Sequence, residues 1–218
     1  MSQPSHSPLP IRRVPVQDRS ERRVASFLAH AEAIIAEVGY EAATMTAIAA
    51  RAGASIGSLY QYFPNKEALT LALFQRFGTD LELRWAALLD EADALDPEQL
   101  GATIIDRFIE LADAQPAFFP IFKSPVKLKG DPAKRQRIVG YFSRIFLKKN
   151  PALSADEALQ AASTTLQAVR GMVLLCGDAR PKARAAIVEE HKLLLSSYLV
   201  RRLGAEMAAS RHTLTAAS

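Results

Sequence analysis

The sequence is poor in the residues from which most catalytic and metal sites are built. Its 218 residues include a single cysteine, Cys176, which excludes a disulfide framework and a cysteine-ligated zinc site. The four histidines (His6, His30, His191 and His212) are scattered, and no two of them stand at a metal-ligand spacing. No Ser/His/Asp order and no phosphate-binding glycine loop is present. We therefore expect a protein that is not an enzyme and that holds no metal and no cofactor.

Long apolar runs are also missing. No stretch reaches the roughly 18 consecutive apolar residues that a membrane span needs. The N-terminal segment MSQPSHSPLPIRRVPVQDRS has no apolar core of the kind found in secretory signals. These absences predict a cytoplasmic protein without a membrane partner. The net charge of +4 is compatible with a nucleic acid as the partner and does not by itself establish one.

Helical periodicity is what the sequence does have, almost throughout. Prolines punctuate residues 1–17, and beyond them apolar residues recur at three- and four-residue steps with no alternating strand pattern. We predict an all-α fold, with an N-terminal three-helix bundle that contains a helix-turn-helix and a larger C-terminal helical bundle behind it. The predicted boundaries are a flexible N-terminal arm at 1–18, the three-helix domain at 19–66, the larger domain at 67–204 and a tail at 205–218.

Capping residues and glycines predict where the helices begin and end. The first helix runs from 19 or 20 to 38 and ends at Gly39, and Thr44 and Ser55 each stand where they can cap a short helix. Asn65 caps the helix that follows Pro64. The later helices are predicted at 66–78, 79–94, 97–115, 118–125 with 131–149, 155–177 and 181–204.

The segment from 44 to 63, TMTAIAARAGASIGSLYQYF, has the layout of two short helices around a glycine turn. Gly53 allows the positive φ that sets two helices at a steep angle. Ile56, Leu59 and Phe63 are expected to face inward from the second helix, which otherwise carries no acidic group to repel phosphate. Gln61 on this helix has the paired donor and acceptor that can read an adenine edge.

This segment resembles the DNA-binding domain of the TetR family of one-component transcriptional regulators. The resemblance rests on the pattern T-x-x-x-I-A-x-x-A-G-x-S-x-G-x-L-Y-x-x-F, followed by N-K-E-x-L from position 65. It implies a homodimer, a double-stranded DNA partner, and a small-molecule effector that binds in the C-terminal domain. It also implies phosphate contacts by Thr44, Tyr60 and Lys66, and groove contacts by Ser55, Ile56, Gly57, Ser58, Gln61 and Tyr62.

The predicted DNA-reading surface carries little charge. Thr46 and Ile56 stand where many relatives have charged residues, which leaves fewer ionic contacts available. Arg12 and Arg13 of the N-terminal arm are therefore candidates for minor-groove contacts.

Some residues near this surface fit a purely structural role. Phe63 is interpreted as a core aromatic, and Tyr62 fits the core as well as it fits the groove. Arg22 and Arg23 are interpreted as a solvated helix face rather than as DNA ligands.

Two C-terminal helices carry apolar stripes that could form a four-helix interface between two copies of the chain. The alternative is that the stripes close the core of a single chain, and the family resemblance favours the dimer. The predicted interface residues are Leu159, Ala162, Leu166, Val169, Val173, His191, Leu195, Tyr198 and Leu199.

Large apolar side chains are concentrated in the middle of the C-terminal domain, where prolines interrupt the helices. Interrupted helices between long ones can leave a cavity, so we predict an apolar, aromatic-lined effector pocket. An ordinary packed core is the alternative. The candidate pocket residues are Trp85, Phe108, Phe118, Phe119, Phe122, Tyr141, Phe142, Gln167, Arg170 and Met172.

The residues and the resemblance together predict a ligand-responsive, DNA-binding transcriptional regulator. The resemblance implies a repressor that binds a palindromic operator as a dimer and is released by an apolar or aromatic small molecule. Two other functions stay open at this stage. One is a small-molecule-binding protein or enzyme whose C-terminal bundle is the functional unit, and the other is a DNA-binding architectural protein without an effector.

Overall fold

The computed structural model describes residues 16–124 and 132–204, and within these ranges every regular element is helical. The predicted all-α fold class is confirmed. In chain order the elements are α1 (Val16–Ala42), α2 (Met45–Arg51), α3 (Ile56–Tyr62), α4 (Lys66–Glu91), a 3₁₀ turn (Ala92–Ala94), α5 (Pro97–Ala114), α6 (Phe118–Lys123), α7 (Pro132–Lys149), α8 (Ala155–Cys176) and α9 (Pro181–Leu203).

Helix α1 is interrupted at Gly39, where the sequence predicts its end. Gly39 has φ +80° and ψ 167°, outside the helical region, and one further turn then reaches Ala42. Residues with a side chain rarely adopt this φ, so the glycine permits the kink.

Helix α4 differs from the prediction. The sequence predicts two helices, at 66–78 and 79–94, but the structure has one continuous helix from Lys66 to Glu91. Buried side chains follow one another at four-residue steps on both sides of Gly78, at Leu73, Phe77, Leu81 and Trp85. Burial along such a stripe outweighs the roughly 1 kcal/mol that one glycine costs inside a helix.

Side-chain caps fix several of the other helix starts. The Asn65 side chain caps α4 as predicted. Asp96 and Gln99 form a reciprocal capping box at α5, and Ser154 and Glu157 form another at α8. Hydrogen bonds from the backbone and hydroxyl of Ser154 lower the pKa of Glu157. Each such cap contributes about 1 kcal/mol to helix stability.

The long C-terminal helices form a bundle in which α5 packs along α9 and α7 packs along α8, while α4 and α6 contact both this bundle and α1. The backbones of α5 and α9 approach closely at Gly101 and Ser196. A Cβ atom on Gly101 would lie 2.5 Å from the Cα atom of Ser196. The Ser196 hydroxyl also donates to the Glu98 carbonyl at 2.7 Å. These contacts set the spacing between α5 and α9.

Residues 1–15, 125–131 and 205–218 lie outside the described residues. Most of the predicted N-terminal arm, with Arg12 and Arg13, and the predicted tail therefore lie there. Within 16–124 and 132–204, no helix is long and apolar enough to cross a membrane. The same ranges contain no cluster of His, Cys, Asp and Glu side chains that could hold a metal ion.

Candidate nucleic-acid interface

A glycine turn joins α2 to α3. Gly53 has φ +60°, and its N–H donates to the Ala50 carbonyl at 3.1 Å. The next N–H, of Ala54, donates to the Ala49 carbonyl at 2.9 Å. This pair of bonds is a Schellman motif with glycine at the left-handed position, so the predicted turn is confirmed. It fixes the direction in which α3 leaves α2.

One face of α3 anchors it to the helices beneath. Leu59 is fully buried and Phe63 is 6% exposed, and both join the core that contains Ile48 of α2. The core role predicted for Phe63 is therefore confirmed. The inward position expected for Ile56 is wrong, since its side chain is 39% exposed. Ile56 is the first residue of α3 and stands at the edge of this core.

The outward face of α3 is small and uncharged. Tyr60 is 49% exposed, and Gly57 and Gln61 are exposed beside it. A Cβ atom on Gly57 would meet no atom within 4 Å, so nothing in the chain requires a glycine there. The amide of Gln61 can pair with a base edge, and the hydroxyl of Tyr60 can donate to a phosphate.

Other residues predicted to contact DNA also hold the fold together. The Thr44 hydroxyl caps α2 by accepting from the Ala47 N–H at 3.1 Å, and the Ser55 hydroxyl caps α3 by accepting from the Ser58 N–H at 3.1 Å. Ser58 is half-buried. Thr44 and Ser55 stay exposed, so each hydroxyl can donate to a phosphate while its oxygen serves as a cap.

Tyr62 is half-buried, and the centre of its ring lies 5.8 Å from the centre of the buried Phe27 ring of α1. This contact ties the last turn of α3 to α1. Of the two roles considered for Tyr62, the packing role accounts for its position.

Lys66, predicted to bind phosphate, is bound to the end of α1. Its ammonium donates to the carbonyl oxygens of Tyr40 at 2.9 Å and Glu41 at 3.2 Å, and it lies 4.3 Å from the centre of the Tyr40 ring. A cation is favoured at a helix C-terminus because the carbonyls there carry partial negative charge. An ammonium has three donors, so one remains that can reach a phosphate.

An ion pair that the sequence does not indicate engages the basic residue of α2. The Arg51 guanidinium donates to the Glu37 carboxylate of α1 at 2.6 Å. The hydrogen bond lowers the pKa of Glu37 and raises that of Arg51. Arg51 is the single charged residue of α2 and α3, so this pair leaves the reading helix and its neighbour without an unpaired charge.

The aromatic residues predicted to line an effector pocket pack largely on one another. The Phe118 ring centre lies 5.4 Å from that of Phe108 and 5.8 Å from that of Phe122, and Trp85 lies 4.9 Å from Phe142. Of the ten candidates, six are buried (Trp85, Phe108, Phe118, Phe122, Phe142 and Met172) and three are half-buried (Phe119, Tyr141 and Arg170).

Four buried side-chain polar atoms of this domain have no hydrogen-bond partner among the described residues: Trp85 Nε1, Gln115 Oε1, Thr165 Oγ1 and Arg202 Nε. An unpaired buried polar group costs about 1–3 kcal/mol. Two of these residues, Trp85 on α4 and Thr165 on α8, belong to helices that both pack against α7. Gln167, in contrast, is exposed on α8, so its predicted place among buried pocket residues is wrong.

The apolar stripes of α8 and α9, which are predicted from the sequence to form a dimer interface, largely face the interior of the chain itself. A second copy cannot reach side chains that the chain already covers, so the prediction is wrong for the six buried residues: Ala162, Leu166, Val169, Val173, Leu195 and Leu199. Leu159, His191 and Tyr198 do reach the surface. The large apolar side chains that α8 and α9 expose are Leu159, Leu174, Leu175, Leu193, Leu194 and Val200.

A short helix presented by a glycine turn, anchored on one face and exposed on the other, is the DNA-reading unit of helix-turn-helix proteins. Here it precedes a large helical bundle. This combination defines a helix-turn-helix transcription regulator.

Comparison with known proteins identifies the family. The model for bacterial regulatory proteins of the tetR family matches residues 27–73, and the model for a tetracyclin repressor-like C-terminal domain matches residues 96–199. The chain belongs to the TetR family, and it is a DNA-binding transcription regulator rather than an enzyme.

Solved structures share the fold. A TetR-family regulator from Pectobacterium atrosepticum is 23% identical, with a TM-score of 0.67 over 86% of this chain and 98% of that one. A TetR-family regulator from Streptomyces coelicolor is 26% identical, with a TM-score of 0.64 over 83% and 99%. The regulator FadR from Bacillus subtilis, in complex with stearoyl-CoA, is 18% identical, with a TM-score of 0.59 over 80% and 97%. No curated protein matches the chain at a significant level.

Proposed function

We propose that the protein is a homodimeric repressor that inserts α3 of each copy into the major groove of a palindromic operator. The observation that carries this proposal is the outward face of α3, which is exposed, uncharged and small enough at Gly57 for close approach. In this proposal Gln61 reads a base edge, while Thr44, Tyr60 and Lys66 bind phosphates and set the register.

The outer faces of α8 and α9 form the proposed dimer surface. Leu174, Leu193 and Leu194 are 46%, 64% and 56% exposed there. A contiguous exposed apolar patch on a monomer is typical of a surface that a partner covers, and the proposal expects these leucines to belong to one such patch. A groove of about 630 Å³ between the two helices, lined in part by Leu159 and Tyr198, adds a recess into which a second copy can pack.

The proposed effector site lies around Trp85, Phe142 and Thr165. An apolar or aromatic molecule that carries a hydrogen-bond acceptor would pair the Trp85 N–H and displace part of the aromatic packing. Relief of this unpaired buried donor supplies a binding free energy of about 1–3 kcal/mol.

Helix α4 is the proposed connection between effector and DNA. It begins at Lys66, which is bound to α1, and it carries Trp85 roughly 28 Å further along its axis. A ligand that binds one orientation of α4 more tightly than another would shift the spacing of the two α3 helices. The operator is released when that spacing no longer matches one turn of DNA.

Trp85 is the only tryptophan of the chain, so intrinsic fluorescence reports on this site alone. The test titrates the protein with aromatic acids and with fatty acyl-CoA esters, including stearoyl-CoA, which FadR of Bacillus subtilis binds. Hits are then added to the complex of the protein with labelled duplex from upstream of its own gene. The proposal expects a ligand that changes Trp85 emission and also lowers the anisotropy of bound DNA.

The matched control is Trp85→Phe, which keeps an aromatic ring but removes the N–H. This variant has no tryptophan emission, so its ligand binding is compared with that of the parent protein by isothermal titration calorimetry. It should bind the same ligand at least about fivefold more weakly, in line with one lost hydrogen bond. A protein that binds ligands but no DNA at low salt would instead support a small-molecule-binding protein. DNA binding that no tested ligand affects would support a constitutive architectural protein.

A further inference from the structure

The described surface around α3 offers few basic groups for DNA phosphates. Arg51 is paired with Glu37, and Lys66 is bound to the carbonyls at the end of α1. Helix α3 has no basic residue. Protein–DNA affinity depends strongly on cations that neutralise phosphates, so we expect further basic groups on the same face beside the one donor that Lys66 still offers.

Arg23 of α1 is such a group. It is exposed, and it forms no ion pair with any acidic side chain in the part of the chain that the structure describes. Its guanidinium carbon lies 5.4 Å from the centre of the Phe27 ring. A guanidinium over an aromatic ring can still direct N–H groups toward solvent, where they can bind phosphate oxygens in pairs.

Two ring contacts connect Arg23 to the reading helix. Phe27 is fully buried and packs on Tyr62, at 5.8 Å between ring centres, and Tyr62 is the last residue of α3. The contacts from Arg23 to Phe27 and from Phe27 to Tyr62 thus place the Arg23 guanidinium beside the C-terminal end of α3. Arg19, one helical turn before Arg23, is also exposed and extends the basic surface along α1.

We propose that Arg23 is a DNA-phosphate contact held in place by the Phe27–Tyr62 pair, and that the DNA-binding surface extends from α3 onto the N-terminal half of α1. The proposal rests on DNA binding through α3. It assigns Arg23 a role that the sequence did not indicate, and it gives Tyr62 a positioning role through Phe27.

The test compares Arg23→Gln with Arg22→Gln. The two variants lose the same charge, but Arg22 lies about 100° around the helix from Arg23. Both positions are exposed, and circular dichroism melting shows whether each variant folds like the parent protein. Affinity is measured by fluorescence anisotropy on a mixed-sequence duplex of about 30 base pairs across a range of salt concentrations, because phosphate contacts do not depend on sequence.

Arg23→Gln should weaken binding several-fold and lower the slope of log affinity against log salt by about 0.9 for each protomer bound. Arg22→Gln should leave the slope unchanged. Arg23→Lys should keep the slope, since the charge remains, and lose only part of the affinity. Equal slopes for the parent protein, Arg22→Gln and Arg23→Gln would overturn the proposal. Parent protein that does not bind DNA even at low salt would overturn the proposed function, and this inference with it.

Discussion

The ammonium nitrogen of Lys66 lies 2.9 Å from the carbonyl oxygen of Tyr40 and 4.3 Å from the centre of its ring. This contact ties the first residue of α4 to the end of α1. Since α4 continues without a break to Trp85 in the C-terminal bundle, one rigid element connects the helix-turn-helix to the proposed effector site.

Replacing Lys66 with methionine should therefore affect the fold as well as DNA binding. The carbonyls of Tyr40 and Glu41 lose a charged donor, and the free energy of unfolding should fall by about 1–2 kcal/mol. Urea denaturation measures this change. Lys182→Met, at an exposed lysine of α9, is the control and should change it by less than about 0.5 kcal/mol. Equal stability of the two variants would show that the contact contributes nothing.

Gly57→Ala should separate stability from DNA binding. The new Cβ meets no atom of the chain, and alanine is the better helix former, so stability should rise by up to about 1 kcal/mol. If Gly57 faces the floor of a groove, the same methyl group should weaken DNA binding about tenfold, in line with an overpacking cost of roughly 1–3 kcal/mol. Thermal melting and anisotropy on the same sample give the two readouts. Unchanged affinity would place Gly57 away from DNA.

The Gly101–Ser196 approach predicts a large effect from one methyl group. A Cβ on Gly101 would collide with backbone atoms of α9, which cannot move as a flexible side chain can. Gly101→Ala should cost about 2–3 kcal/mol or more. Gly140→Ala, in α7 with no atom near the new Cβ, is the matched control and should be neutral or stabilising. Similar melting temperatures for the two variants would contradict the close packing of α5 on α9.

The dimer surface can be tested with a pair of leucines. Leu194 on α9 and Leu83 on α4 are 56% and 67% exposed. Leu194→Glu should raise the dimer dissociation constant at least about a hundredfold, because an unpaired carboxylate inside an interface costs several kcal/mol. Leu83→Glu should leave it unchanged. Sedimentation velocity measures the dimer dissociation constant of both variants. A dimer that tolerates Leu194→Glu would show that the interface does not include Leu194.

Local signals in the sequence predict the helix-turn-helix in detail. Caps at Thr44, Ser55 and Asn65 and the left-handed glycine at Gly53 all depend on bonds within a few residues, so the chain itself encodes them. Long-range contacts are different. Lys66 and Tyr40 are distant in sequence, and no periodicity indicates that they meet.

Two incorrect predictions, the dimer interface and the break near Gly78, have related physical causes. Apolar spacing shows that a helix buries a stripe but not what covers it. From their spacing alone, Leu166 and Leu199 fit a dimer interface as well as they fit the core of one chain. In the structure the chain's own core covers them. The predicted break near Gly78 fails for a related reason, because packing along α4 outweighs the weak local preference of one glycine.

Selection of binding sites from a random-sequence duplex library tests the central claim most directly. A dimer that presents two α3 helices should enrich a palindrome whose half-sites lie about one helical turn, or roughly 34–36 Å, apart. Gln61→Ala should then lose base preference at one symmetry-related pair of positions. Failure to enrich any sequence, or enrichment of sites without two-fold symmetry, would contradict the account.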